Sequence, residues 1–253
     1  MIPSYDGSTY KSMIMEDGIM QYEVRNAPLP VLICKLAAGE SIECQRGAMS
    51  WMTPTMQMQT GLGGNSGGGL LGALGKMAKS AITGESIFRN TYTAAGGDGE
   101  IAFASCFPGN ILCFETSATP IVAQKSAYLA NTAGVNMDIF FQKKIGAGLF
   151  GGEGFIMQKF SGKGMVFLEM NGGIVEYTLA PGQCMLIDTG YLAAMEATCS
   201  VDIETVSGVG NVFLGGEGLF NTKVTGPGKI WLQTMPANCL ASAIQPYITT
   251  SSN

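Results

Sequence analysis

Two glycine-centred elements recur three times in the same order, and this recurrence constrains the fold more than any other property of the chain. Ala81-Ile82-Thr83-Gly84-Glu85-Ser86-Ile87-Phe88 matches Leu149-Phe150-Gly151-Gly152-Glu153-Gly154-Phe155-Ile156. Both match Phe213-Leu214-Gly215-Gly216-Glu217-Gly218-Leu219-Phe220. Each copy is followed by a Gly-x-Gly that leads into alternating apolar residues: Gly97, Gly99, Ile101, Phe103; Gly162, Gly164, Val166, Leu168; Gly226, Gly228, Ile230, Leu232. The Gly-Glu positions 84, 152 and 216 are 68 and 64 residues apart. A lone Gly-x-Gly means little in a chain with 36 glycines. Two elements in fixed order at nearly one interval are hard to obtain by chance.

A third element precedes them. Leu36-Ala37-Ala38-Gly39-Glu40 leads to Gly47-Ala48-Met49, and Leu179-Ala180-Pro181-Gly182-Gln183 leads to Gly190-Tyr191-Leu192 at the same offset. The middle copy, Phe107-Pro108-Gly109-Asn110, reaches Ala127-Tyr128-Leu129 after an insertion. Short alternating runs such as Ile101-Ala102-Phe103 and Val166-Phe167-Leu168, bounded by glycines, are strand patterns. The period is too long for a solenoid rung and too short for an immunoglobulin domain.

The expectation is an all-β fold: three pseudo-symmetric β-sandwich or barrel repeats packed around a shared core. Residues 1–21 form a lead-in with a strand, 22–105 the first repeat, 106–172 the second, 173–236 the third, and 237–253 a C-terminal helix and tail. All belong to one compact domain. The first repeat carries an insertion at 61–83, where Leu70, Leu71, Leu74 and Met77 fall at helical spacing after a glycine run. These four residues are the candidate partner-binding face of a short amphipathic helix. The favoured reading is that they pack across an open sheet face.

Charge and residue types exclude several chemistries. The chain has 14 Lys and Arg against 19 Asp and Glu, a net charge of −5, and no clustered basic patch. Nucleic-acid binding, which needs such a patch to release counterions, is not expected. No segment reaches the roughly 20 apolar residues of a membrane-spanning helix. Membrane-surface contact by the inserted helix is disfavoured, since it offers two lysines and no aromatic residue. The N-terminal segment has no apolar stretch of the signal-peptide kind, and the seven cysteines include no Cys-x-x-Cys. They read as reduced core thiols in a cytoplasmic protein. Charged residues make up only 13%, a surface that favours self-association, so a homo-oligomer is expected.

There is no histidine. Ser-His and Cys-His nucleophile pairs and histidine-ligated zinc are thereby removed. Gly64-Asn65-Ser66-Gly67-Gly68 looks like a serine-protease nucleophile loop but has no base to serve it. Gly67-x-Gly69-x-x-Gly72 has the letters of a dinucleotide fingerprint, but no βαβ unit follows. Gly75-Lys76-Met77 lacks the Ser or Thr of a phosphate loop. The repeated Glu85, Glu153 and Glu217 are the candidates for a symmetric Ca²⁺ or Mg²⁺ site. The favoured reading is that each accepts backbone N–H bonds in its own turn. No catalytic residue, metal or cofactor is therefore assigned. Asp138 and Asp202 stand in matching runs, Met137-Asp138-Ile139 and Val201-Asp202-Ile203, and read as solvent-facing strand positions.

Gly-Ala-Met-Ser-Trp-Met (47–52), the glycine run into Leu-Leu-Gly-Ala-Leu-Gly-Lys (70–76), and Gly-Glu-Ser-Ile-Phe-Arg-Asn (84–90) resemble the altered-inheritance-of-mitochondria protein 24 family, in its bacterial branch. The resemblance runs from about Met20 to Tyr247. It implies a β fold similar to the tryptophan RNA-binding attenuation protein, repeated three times, and brings no catalytic residues. Three readings follow. The first is a non-enzymatic scaffold acting by self-association or contacts with a protein partner. The second is a small-molecule-binding module with a site between repeats, and the third is an enzyme using carboxylates alone.

Overall fold

The computed structural model describes residues 11–15, 18–62, 88–143, 154–205 and 220–248. A hairpin opens the chain, β1 (Lys11–Met15) paired with β2 (Gly18–Arg25). Six strands follow as a first unit: β3 (Val31–Leu36), β4 (Ser41–Gln45), β5 (Trp51–Met52), β6 (Met56–Leu62), β7 (Phe88–Ala94) and β8 (Gly99–Ala104). A second unit holds β9 (Gly109–Glu115), β10 (Ile121–Gln124), β11 (Tyr128–Thr132), β12 (Val135–Lys143), β13 (Phe155–Gly162) and β14 (Met165–Asn171). The third holds β15 (Ile174–Leu179), β16 (Cys184–Asp188), β17 (Leu192–Glu196), β18 (Ser200–Thr205), β19 (Phe220–Thr225) and β20 (Gly228–Gln233). The expected all-β class holds. The single α-helix among the described residues, α1 (Ala237–Ile244), closes the chain where the C-terminal helix was expected.

Strand pairing follows one rule in each unit. The sixth strand lies between the first and the third: β3-β8-β5, β9-β14-β11 and β15-β20-β17. The fifth lies between the second and the fourth: β4-β7-β6, β10-β13-β12 and β16-β19-β18. Units join because the second strand of one pairs with the third strand of the next, β4 with β11 and β10 with β17.

Four sheets result. The first, β1-β2-β3-β8-β5, takes half of unit one plus the hairpin. The second, β6-β7-β4-β11-β14-β9, and the third, β12-β13-β10-β17-β20-β15, are six-stranded and shared between units. The fourth, β16-β19-β18, takes the remaining half of unit three.

The recurrent Gly-x-Gly is the corner where the chain leaves one sheet for another. In each unit it joins the fifth strand to the sixth, which lie in different sheets. One glycine of each pair has a positive φ: Gly97 (117°), Gly162 (99°) and Gly228 (144°). The other sits where a side chain has no room. A Cβ on Gly164 would lie 2.5 Å from Thr132 Oγ1, and one on Gly226 would lie 2.6 Å from the Ala180 carbonyl oxygen. Sharp crossing and close packing together require glycine twice.

Along the strands apolar residues alternate as a two-sided sheet demands. On β12, Val135, Met137, Ile139 and Phe141 turn inward, while Asn136, Asp138, Phe140 and Gln142 are exposed. The core is subdivided into clusters that each lie between successive sheets. Leu32, Cys34, Ile101 and Phe103 of the first sheet meet Ile42, Tyr92, Leu129 and Phe167 of the second. Val166, Leu168 and Met170 of the second meet Phe160, Ala194 and Trp231 of the third. Met157, Met195 and Ile230 of the third meet Ile187, Ile203 and Val224 of the fourth. The sheets are thus stacked in series.

The turn beginning at Leu36 and that beginning at Leu179 are built alike. Glu40 Oε2 accepts from the Ala37 N–H at 2.7 Å, and Gln183 Oε1 accepts from the Ala180 N–H at 2.9 Å. The middle copy corrects the sequence reading. Phe107-Pro108-Gly109 precedes β9, which pairs β14 as β3 pairs β8, so it stands before the first strand of its unit rather than after it. The matching turn is the one between β9 and β10, and it carries no Gly.

Candidate functional site

Units join where β4 meets β11 and where β10 meets β17. At the first joint Ala130, Asn131 and Thr132 of β11 lie opposite Cys44, Glu43 and Ile42 of β4. Glu43 is flanked by buried Ile42 and Cys44, so the pleat turns it to the other face of the second sheet. There Arg89 Nη1 donates to Glu43 Oε2 at 2.5 Å, with Arg89 itself buried. Tyr128, stacked on Phe160 at 5.5 Å, donates its hydroxyl proton to Asn131 Oδ1 at 2.5 Å. Asn131 Nδ2 donates in turn to the Thr132 carbonyl.

Burial dominates the ionisation of this set. It raises the Tyr128 phenol well above the usual tyrosine range, against the opposing pull of Arg89, with Glu43 and Cys44 adding to the rise. Burial, with Glu43 beside it, likewise pushes the Cys44 thiol up to about 12. Both therefore stay protonated at neutral pH, and the phenol is a hydrogen-bond donor rather than a nucleophile. The chemistry of this cluster is a salt bridge that ties β7 to β4 and a donor chain that stiffens β11, side by side at the joint.

The second joint has the same register and the opposite chemistry. Ala123, Val122 and Ile121 of β10 lie opposite Ala194, Met195 and Glu196 of β17. By pairing position, Val122 replaces Glu43, Met195 replaces Asn131, Met157 replaces Arg89 and Leu192 replaces Tyr128. All four are fully buried in one cluster. One backbone joint is thus made twice, once with ion pair and hydroxyl, once with aliphatic side chains.

Exposed apolar side chains lie on edge strands of every sheet, Met58 on β6, Phe140 on β12 and Val175 and Tyr177 on β15 among them, and the two outer ends of the series carry their own. Trp51 (49% exposed) and Met52 (37%) form β5, the edge of the first sheet, and Leu186 (58%) lies on β16, the edge of the fourth. An open cleft of about 440 Å³ lies beside β5, lined by Lys35, Thr53, Asp98 and Glu100 among others.

Of the residues singled out from the sequence, Glu85, Glu153, Glu217, Leu70, Leu71, Leu74 and Met77 lie outside the described residues. Asp138 and Asp202 are exposed on β12 and β18, each opposite a lysine of the neighbouring strand, Lys159 and Lys223. They are equivalent, and their lysines lie opposite Val122 on β10 and Leu186 on β16 in turn. Among the described residues no three His, Cys, Asp or Glu side chains are grouped to share a metal ion, and no helix is long and apolar enough to cross a membrane. The Glu43–Arg89–Tyr128–Asn131 cluster was not anticipated. Glu43 alternates with buried Ile42 and Cys44 as an ordinary outward strand position does, so no local pattern marks it.

Known proteins align with the chain over nearly its whole length. A protein of Streptococcus pyogenes serotype M6, itself described as uncharacterised, is 32% identical over 250 residues, covering 97% of this chain and 98% of that one. A crystal structure of another Streptococcus pyogenes protein is similar with a TM-score of 0.73 at 27% identity, covering 90% of this chain and all of that one. The family described as Mitochondrial biogenesis AIM24 matches residues 22–235, which spans all three units. The chain belongs to that family.

Proposed function

We propose that the protein is a non-enzymatic scaffold, built from three diverged copies of one unit with the attenuation-protein-like fold. It acts by self-association and by contacts with protein partners, in the cytosol. The observation that carries this is the placement of Trp51, Met52 and Leu186, large apolar side chains held out on sheet edges. Edge strands bearing apolar rather than charged side chains invite pairing with another chain. The buried ionisable groups of the first joint are engaged with one another, which makes them structural. All seven cysteines are free thiols, in keeping with a reducing compartment. Light scattering of the purified chain across a concentration series is expected to give a multiple of 26.5 kDa. A single-copy mass at every concentration overturns the reading.

The cleft beside β5 favours a second reading, a small-molecule-binding module. Its Lys35, Asp98 and Glu100 offer both charges, which suits a small zwitterionic or polar metabolite. A raised unfolding temperature with such a compound, lost in Asp98→Ala, supports this role.

A further inference from the structure

Both ends of the sheet series carry half of the same joint. Inside the chain, the second strand of each unit pairs the third strand of the next, and every such pairing completes a six-stranded sheet of fixed order. Among the described residues the second strand of unit three, β16, is an edge strand with no third strand paired to it. The third strand of unit one, β5, is likewise an edge strand with no second strand paired to it. The order β18-β19-β16 of the fourth sheet followed by β5-β8-β3 of the first reproduces the order of the second and third sheets.

Resting on the self-association reading, we infer that β16 of one copy pairs antiparallel with β5 of a second copy, so that copies assemble head to tail. Equivalent positions fix the register. Trp51 lies opposite Ala102 on β8 as Ala130 lies opposite Phe167 and Ala194 opposite Trp231. The matching turns at Gly39 and Gly182 place Met185, Leu186 and Ile187 where Ile42, Glu43 and Cys44 stand. The new pairs are therefore Ile187 with Trp51, Leu186 with Met52, and Met185 with Thr53.

Side-chain chemistry selects the occupant. Leu186 and Met52 are the counterparts of Val122 and Met195, which are 0% exposed at the second joint. The open ends match the apolar joint and not the Glu43–Asn131 one. Pairing them would bury by intermolecular contact the counterparts of groups that the chain already buries internally at its second joint. Because the two surfaces differ, the contact is heterologous, and copies close into a ring when the rotation permits.

The test uses the full chain with Leu186→Lys or Met52→Lys, both at exposed edge positions, with circular dichroism to confirm the fold. Each variant alone is expected to fall to the single-copy mass of 26.5 kDa by light scattering. Mixed one to one, they are expected to form a two-copy complex and nothing larger, since the mixture holds one intact β16 edge and one intact β5 edge per pair. Variants that keep the wild-type assembly overturn this interface while self-association stands. Variants that dissociate but do not pair on mixing overturn the head-to-tail arrangement. A wild-type chain that is itself a single copy removes both proposals.

Discussion

The two internal joints are a natural substitution experiment at the residue scale. Glu43, Arg89, Tyr128 and Asn131 at one joint stand where Val122, Met157, Leu192 and Met195 stand at the other. Removing one member of a buried ion pair leaves the other without compensation, whereas replacing the whole set by apolar groups removes the desolvation cost too. Arg89→Met alone is expected to destabilise by about 3 kcal/mol, the low end of the range for an orphaned buried charge, because the Glu43 side chain keeps 26% exposure. The combined variant Glu43→Val, Arg89→Met, Tyr128→Phe, Asn131→Met is expected to regain most of that loss, and Tyr128→Phe keeps the ring stacked on Phe160. Urea unfolding midpoints read both variants. A combined variant weaker than Arg89→Met would mean that the ion pair contributes more than desolvation takes away.

At the scale of elements, the Gly-x-Gly corners carry the fold, and each glycine carries a different constraint. Gly164→Ala places a Cβ 2.5 Å from Thr132 Oγ1 and 2.7 Å from Val135 Cγ2. That overpacking is expected to cost about 1–3 kcal/mol. Gly182→Ala, in the turn after β15 rather than at a corner, meets nothing within 4 Å but must hold a φ of 77°, so its loss is expected to be smaller, about 1 kcal/mol. Thermal unfolding of the two variants ranks them, and the reverse order would show that crowding at the corner is not what selects glycine. These corners were legible in the sequence because backbone sterics act locally and leave the same letters each time. The turn between β9 and β10 was not, because Thr116, Ser117 and Pro120 close it without glycine and leave no match to Leu36–Glu40. The pairings of β4 with β11 and β10 with β17 were equally hidden, since cross-strand choice between distant segments leaves no periodic mark. Trp51-Met52 stood out only as part of a family motif. That it is a two-residue edge strand depends on β8 lying beside it.

For the whole molecule, stacking in series predicts how stability is distributed. Each cluster belongs to one pair of neighbouring sheets, as in a repeat array where a unit senses its neighbours and little beyond them. Ile203 on β18 lies only in the cluster between the third and fourth sheets. Ile203→Ala is expected to cost about 2–5 kcal/mol locally. Faster amide hydrogen exchange is expected in β16, β18 and β19, with a smaller effect on β10 and β13 and none on β3 and β8. Phe160, in the cluster between the second and third sheets, sits in the middle of the series. Phe160→Ala should speed exchange on both sides, because the sheets it holds apart from solvent each support a further sheet. Uniform acceleration across all strands in Ile203→Ala would mean that the six-stranded sheets transmit every perturbation and the molecule opens as one unit. A graded response would mean that the joints set the cooperativity. A copy added at β16 would then protect the fourth sheet first, since Leu186 and Ile187 share its edge strand.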